Sequence, residues 1–261
     1  MDEYTRIAEL LESGKITADE ARRLIEALEE PPAVAAGEGA AAGAQVRVRL
    51  RRAELTVRAV AGLDAPRLEG GVGEVSLERS GAGWRLFDRT AGLELGGLLG
   101  FLRGVVLRKA ALLVPERSRL SVHLGQGALR TQGPLESVEG GLGQGTAQVA
   151  EASGVRFEVG QGTLTVERAE ALDLEVGQGT IEAAARLAEG RHRAEAGMGR
   201  VRVRLLEGSD VVVVAHAGMG KVRLAGEEGV GKKTAVEARV GSGRARLQLE
   251  AGMGDVEVKL P

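Results

Sequence analysis

Gly-x-Gly tripeptides beginning at Gly125, Gly143, Gly160, Gly177, Gly197, Gly218, Gly241 and Gly252 recur at intervals of 18, 17, 17, 20, 21, 23 and 11 residues. A near-constant period of this length marks a repeat architecture, in which each unit buries its apolar face against its neighbours. The flanks of each tripeptide alternate apolar and polar residues, the period-2 pattern of a strand with one buried face. Laying VRFEVGQGTLTV (155–166) over LDLEVGQGTIEA (172–183) pairs inward Val155 with Leu172, Phe157 with Leu174, Val159 with Val176 and Leu164 with Ile181. Outward positions carry Arg156, Glu158, Asp173, Glu175, Thr165 and Glu182. Coils of this length hold two short strands and two bends, and stacking them sets equivalent strands in parallel ladders ~4.8 Å apart. The expected fold is mainly β: a β-solenoid of about 17–23-residue coils punctuated by Gly-x-Gly, over residues 45–261.

Glycine suits such a corner because it tolerates positive φ and close backbone approach. The central residues of the tripeptides would stack in one column, Gln126, Gln144, Gln161 and Gln178, followed by Met198, Met219, Ser242 and Met253. Stacked Gln amides can hydrogen-bond along the axis. The Met positions read as corner packing, with a greasy docking strip as the sharper alternative. Aromatic residues make up only 2% of the chain against 43% hydrophobic, so the core is built from Ala, Val, Leu and Ile. That composition suits a thin structure with close walls. Before the clean repeats lies LELGGLLGFLRGVVL (93–107), the most apolar segment, read as a cap over an open strand edge or, alternatively, an interfacial membrane contact.

The first 30 residues read as a separate unit. Tyr4, Ile7, Leu10 and Leu11 form one helical stripe, and Ala21, Leu24, Ile25 and Leu28 form another. Between them, Gly14 ends the first helix and Thr17-Ala-Asp-Glu20 is a capping box. Pro31-Pro32 stops the second helix. Domain 1–30 is thus a two-helix hairpin, 31–44 an Ala/Gly-rich linker, and 45–261 the repeat domain. A hairpin this short cannot bury enough surface to stand alone. Ile7, Leu10, Leu11, Leu24, Ile25 and Leu28 are the expected partner-binding residues, for self-association or for a protein partner, with docking on the rest of the same chain as the alternative.

The rest of the sequence argues against chemistry. With no Cys there is no disulfide framework, thiolate nucleophile or Cys-ligated metal site. His123, His192 and His216 fall on different coils without ligand spacing and read as surface histidines. None of the repeat tripeptides opens a helix that could meet a phosphate, and the near-miss GEEGVGKKT (226–234) lacks the Ser or Thr after its first Lys. No catalytic residue, metal site or cofactor is expected, and the chain is read as not an enzyme. A net charge of −2 gives no general attraction to nucleic acid, so no specific nucleic-acid partner is expected. The acidic, amphipathic N-terminus lacks the pattern of a secretory signal, and no uncharged apolar run is long enough for a spanning helix. The expected location is cytoplasmic, with a membrane-peripheral one as the alternative.

One surface feature supports that alternative. Outward positions after the later tripeptides are Arg200 and Arg202, Lys221 and Arg223, and Arg244 and Arg246. If the coils stay in register, six cations share one face, a costly arrangement read as neutralised by flanking acids such as Glu195, Glu237 and Glu250 or, in the alternative, relieved by an anionic ligand (lipid headgroup, cell-wall polymer or nucleic acid).

Two pieces resemble known families. ESGKITADEARRLIEALEE (12–30) looks like the SHOCT-like two-helix domain that opens bacterial proteins of the LiaX type. Leu113-Val-Pro115, Leu120-Ser-Val122 and Gly125-Gln-Gly127 resemble the "putative adhesin" β-strand-repeat domain. The resemblance implies a non-catalytic role in cell-envelope stress or at a surface, and carries over no active-site residue. The expected function is a non-catalytic scaffold or interaction protein with the hairpin mediating oligomerisation or partner binding. The second reading is a peripheral envelope- or membrane-binding module that uses the basic face.

Overall fold

The computed structural model describes residues 43–69, 75–88, 108–224 and 235–261, all within the compact unit Ala42–Pro261. The expected hairpin, most of the linker, the 93–107 segment and the 226–234 near-miss lie outside the described residues. The described fold is mainly β, an open sheet of thirteen strands. These are β1 (Gln45–Val60), β2 (Arg67–Glu69), β3 (Val75–Ser80), β4 (Gly83–Asp88), β5 (Arg108–Pro115), β6 (Arg119–Gln132) and β7 (Pro134–Val149). They continue with β8 (Glu151–Ala185), β9 (Gly190–Leu205), β10 (Val211–Met219), β11 (Val222–Leu224), β12 (Ala235–Val240) and β13 (Ala245–Lys259).

β6, β7, β8, β9 and β13 each run through a Gly-x-Gly at which the alternation of buried and exposed residues changes phase, giving a first arm before this corner and a second arm after it. β1 follows the same course with Arg52 opposite Gln126. Layer then stacks on layer in parallel and in register: Gln126 pairs with Gln144, and Gln144 with Gln161. β8 is long because it runs through two layers without a break, and the amide of Gln161 donates to Gln178 at 3.3 Å. The corner requires glycine. At Gly162 φ is +142°, and a Cβ there would stand 1.8 Å from the Gly145 carbonyl oxygen.

The core follows the alternation. Val155, Phe157, Val159, Leu164, Leu172, Leu174, Val176 and Ile181 are all buried. The Phe157 ring finds room because its neighbour on the next layer is Gly140, which has no side chain. Buried hydroxyl and imidazole groups also accept backbone N–H groups. Thr131 Oγ1 accepts from the Ala150 N–H, Ser209 Oγ from the Leu187 N–H, and His192 Nδ1 from the Leu172 N–H. Among the described residues no buried side-chain polar atom is left without a partner, as an apolar core demands.

The layer order is not the sequence order. At one end β1 lies between β6 on one side and β4 and β5 on the other. At the other end β13 lies between β9 on one side and β10 and β11 on the other. The first and last strands of this unit are therefore interior layers, while internal segments form the outermost ones. Antiparallel strands finish three of the four arm ends: β3 on β4, β2 on β5 and β12 on β10. A parallel stack thus ends in a strand of opposite direction, which blunts an edge that would otherwise template further pairing.

Asp210 holds the loop that carries the chain from β12 into β13. Its carboxylate accepts from Ser242 Oγ at 2.7 Å, from the Gly243 N–H, and from Arg244 Nε at 2.7 Å. The Ser242 hydrogen bond, followed by that of Arg244, holds the Asp210 carboxyl well below the usual carboxylate range. Ser242 accordingly leaves the corner column in which the spacing placed it.

His192 is also not a surface residue. It occupies an inward position opposite Leu247, with 6% exposure. Nε2 lies 2.9 Å from the Glu189 carbonyl, so with Nδ1 accepting, the ring is the neutral Nε2–H tautomer. Burial pushes its pKa below the ordinary 6.5, against the opposing pull of the Glu189 carbonyl. The unfolded chain therefore takes up this proton more readily than the folded one. Stability from His192 is whole above pH ~6.5 and declines as pH falls through the unfolded value towards the lower folded one. Urea midpoints should drop between about pH 7.5 and 5.5 in the natural chain, and the slope should be shallower in His192→Gln. Parallel pH profiles for the two proteins would contradict this assignment.

Candidate interaction surface

Two outward columns dominate the described surface. The first runs along the corner. Gln126 Nε2 donates to Gln144 Oε1 at 3.1 Å, Gln144 to Gln161 at 3.2 Å, and Gln161 to Gln178 at 3.3 Å. The column continues from Gln178 to Met198, then Met253, then Met219. These methionines are not packing residues: Met198 is 38%, Met253 43% and Met219 66% exposed.

The second column lies on the outer face of the first arm. In layer order it reads Arg49, His123, Gly141 and Glu158, then, after the 17-residue step within β8, Glu175, Glu195, Glu250 and His216. Four carboxylates thus stand on neighbouring layers, where like charges repel. Part of that repulsion is relieved from the adjacent column, where Arg193 pairs with Glu195. Arg156 and Asp173 pair with each other at 3.0 Å.

Gly141 interrupts this column and leaves a groove of about 690 Å³ bounded by Arg49, Arg51, Phe87, His123 and Glu158. Unlike the corner glycines, Gly141 is not forced. A Cβ there would meet nothing closer than the Glu158 carbonyl oxygen at 3.4 Å. The notch is therefore space on the surface that the backbone does not demand. Burial, followed by the Arg49 and Arg47 charges, pushes the His123 pKa down, so its imidazole is neutral at neutral pH beside the notch. The face thus combines a stripe of carboxylates with a recess beside His123.

The expected basic face is not assembled. Arg200 and Arg202 lie on β9, where β13 sets Asp255 against Arg200 and Glu257 against Arg202. On the far side of β13, Glu257 stands opposite Arg223 in register, and the Asp255 carboxylate accepts the Lys221 N–H at 3.1 Å. Arg202 bonds Glu182 at 2.8 Å and Glu257 at 3.0 Å. Arg244 is taken up by Asp210, and Arg246 lies on the first arm between Arg191 and Val212. Inserting an acid-bearing strand between two basic ones turns the row of like charges into an alternating one. Ile7, Leu10, Leu11, Leu24, Ile25 and Leu28 lie outside the described residues.

Comparison with known proteins matches residues 2–33 to a family described as a SHOCT-like domain. No curated protein matches the chain. Among solved structures, a "putative cell adhesion protein" from Clostridium sporogenes is similar at 13% identity, covering 83% of this chain and 93% of that one with a TM-score of 0.34. An overlap that loose carries no weight for function.

Proposed function

We propose that this chain is a non-catalytic interaction protein: a β-solenoid that displays rigid outward columns, joined through its N-terminal hairpin to copies of itself or to a protein partner. The observation that carries the reading is the in-register stacking, by which outward side chains on successive layers form continuous lines such as Gln126–Gln178 and Glu158–Glu250. Columns of this kind offer a repeating, low-entropy surface, which is how repeat proteins bind. The SHOCT-like match over residues 2–33 supports the hairpin's part, since a two-helix unit must cover its apolar stripe with something. The resemblance to LiaX-type proteins extends the proposal to work at the cell envelope.

Light-scattering mass of the full chain beside a Leu24→Asp, Leu28→Asp double variant tests the hairpin's role. The expected result is an oligomer for the natural chain and a monomer for the variant, whose stripe now carries two buried-face charges. Equal masses for the two would remove self-association through the hairpin from the account.

A further inference from the structure

The chain has four methionines, Met1, Met198, Met219 and Met253, and the three internal ones occupy consecutive layers of one column, in the order Met198, Met253, Met219. We propose that the three thioethers form a binding site for one soft monovalent cation, Cu(I) or Ag(I).

Methionine usually fills gaps in a core. The described core holds none; the side chains that fill it are Ala, Val, Leu, Ile and Phe157. All three corner methionines are instead more than a third exposed. Nor do they extend the neighbouring Gln column in kind, because a thioether cannot donate the hydrogen bond that links Gln161 to Gln178. Each is flanked on both sides by glycine: Gly197 and Gly199, Gly252 and Gly254, Gly218 and Gly220. No side chain next to it along the chain therefore shields the sulfur.

Spacing suits convergence. Layers stand about 4.8 Å apart, so the outer two backbones are about 9.6 Å apart with Met253 midway between them. Three unbranched, three-rotor arms on one corner can lean together over that span. Thioether sulfur is a soft ligand that selects Cu(I) over hard cations such as Mg²⁺ and Ca²⁺.

Anaerobic titration of the full chain with Cu(I) against a chromophoric Cu(I) chelator, and with Ag(I) by calorimetry, tests the site. One equivalent of either ion should bind, with an affinity unchanged between about pH 7 and pH 5, because thioethers carry no proton to displace. Met253→Leu removes the middle sulfur at nearly constant volume and should abolish that equivalent, as should Met198→Leu with Met219→Leu, with circular dichroism unchanged. Retention of the equivalent in the Met198→Leu, Met219→Leu, Met253→Leu triple variant would overturn the proposal. So would affinity that falls on acidification, which would point to His216 or the carboxylates, or no uptake by the natural chain.

Discussion

Deleting residues 245–261 is expected to release β10, β11 and β12 together, although all three precede the cut. β13 is the layer on which β10 and β11 rest, and among the described strands β12 pairs with β10 alone. Its inward Leu247, Leu249, Val256 and Val258 are fully buried. At ~1.5–3 kcal/mol per buried aliphatic side chain, these four contribute ~6–12 kcal/mol at the upper bound. That is comparable with the ~5–15 kcal/mol that holds a typical domain together. Amide hydrogen exchange on the truncated chain should show 211–224 and 235–240 unprotected while β6, β7 and β8 stay protected. Were the coils stacked in sequence order, removing the last would leave β10 resting on β9, and its amides would stay slow.

Gly162→Ala should be among the most damaging single-methyl changes available in this chain, and Gly154→Ala among the mildest. At Gly162 the new Cβ falls 1.8 Å from the Gly145 carbonyl oxygen and 2.8 Å from its carbon, at φ +142°. Backbone strain alone accounts for ~1–3 kcal/mol, and overpacking adds typically ~1–3 kcal/mol more. The obstacle is backbone from another glycine, so no flexible side chain can move aside. Gly154 has nothing within 4 Å of its would-be Cβ and no positive φ. Alanine there should be neutral or stabilising by ~0.4–1 kcal/mol, through the restricted unfolded chain. Urea midpoints at constant m-value measure both. Comparable losses at the two sites would mean that the corner geometry is wrong.

These two cases mark what was legible in the sequence. Alternation in VRFEVGQGTLTV picked out its buried residues, and the 17-residue offset identified Gln161 and Gln178 as stacked neighbours, because both depend on local periodicity. Layer order is a different kind of information. Every Gly-x-Gly corner is geometrically interchangeable, so a count of repeats cannot say that β13 inserts between β9 and β10. A signal for it does exist. Gly252-Met-Gly254 is followed by Asp255 and Glu257, where Gly197-Met-Gly199 is followed by Arg200 and Arg202 and Gly218-Met-Gly220 by Lys221 and Arg223. Adjacent layers of like charge repel, so the acidic strand belongs between the two basic ones. Reading the six cations as one face overlooked that complementarity.

The surface was less legible than the core for a related reason. Glu158, Glu175 and Glu195 and the shared column of the methionines follow from the regular offset. Glu250 joins the stripe beside Glu195, and Met253 enters between Met198 and Met219, only once the interleaved order is known. Gly141 could not be told from the corner glycines by type, since only the space around it shows that its backbone does not need it. His192 was hidden by the longer coil around it, where a buried imidazole replaces a missing ladder partner for the Leu172 N–H.

The interleaved layer order underlies the stripe, the methionine line and the dispersal of the basic face, and a cross-linking measurement tests it directly. The chain contains no cysteine, so introduced pairs have no competitors. Met198→Cys with Met253→Cys places two thiols on adjacent layers about 4.8 Å apart, inside the ~4.4–6.8 Å Cα separation that a disulfide spans. Met198→Cys with Met219→Cys places them two layers apart, about 9.6 Å and out of reach. Mild oxidation should therefore close an intramolecular disulfide in the first pair and leave the second as free thiols. A disulfide in the 198–219 pair, with none in the 198–253 pair, would contradict the account.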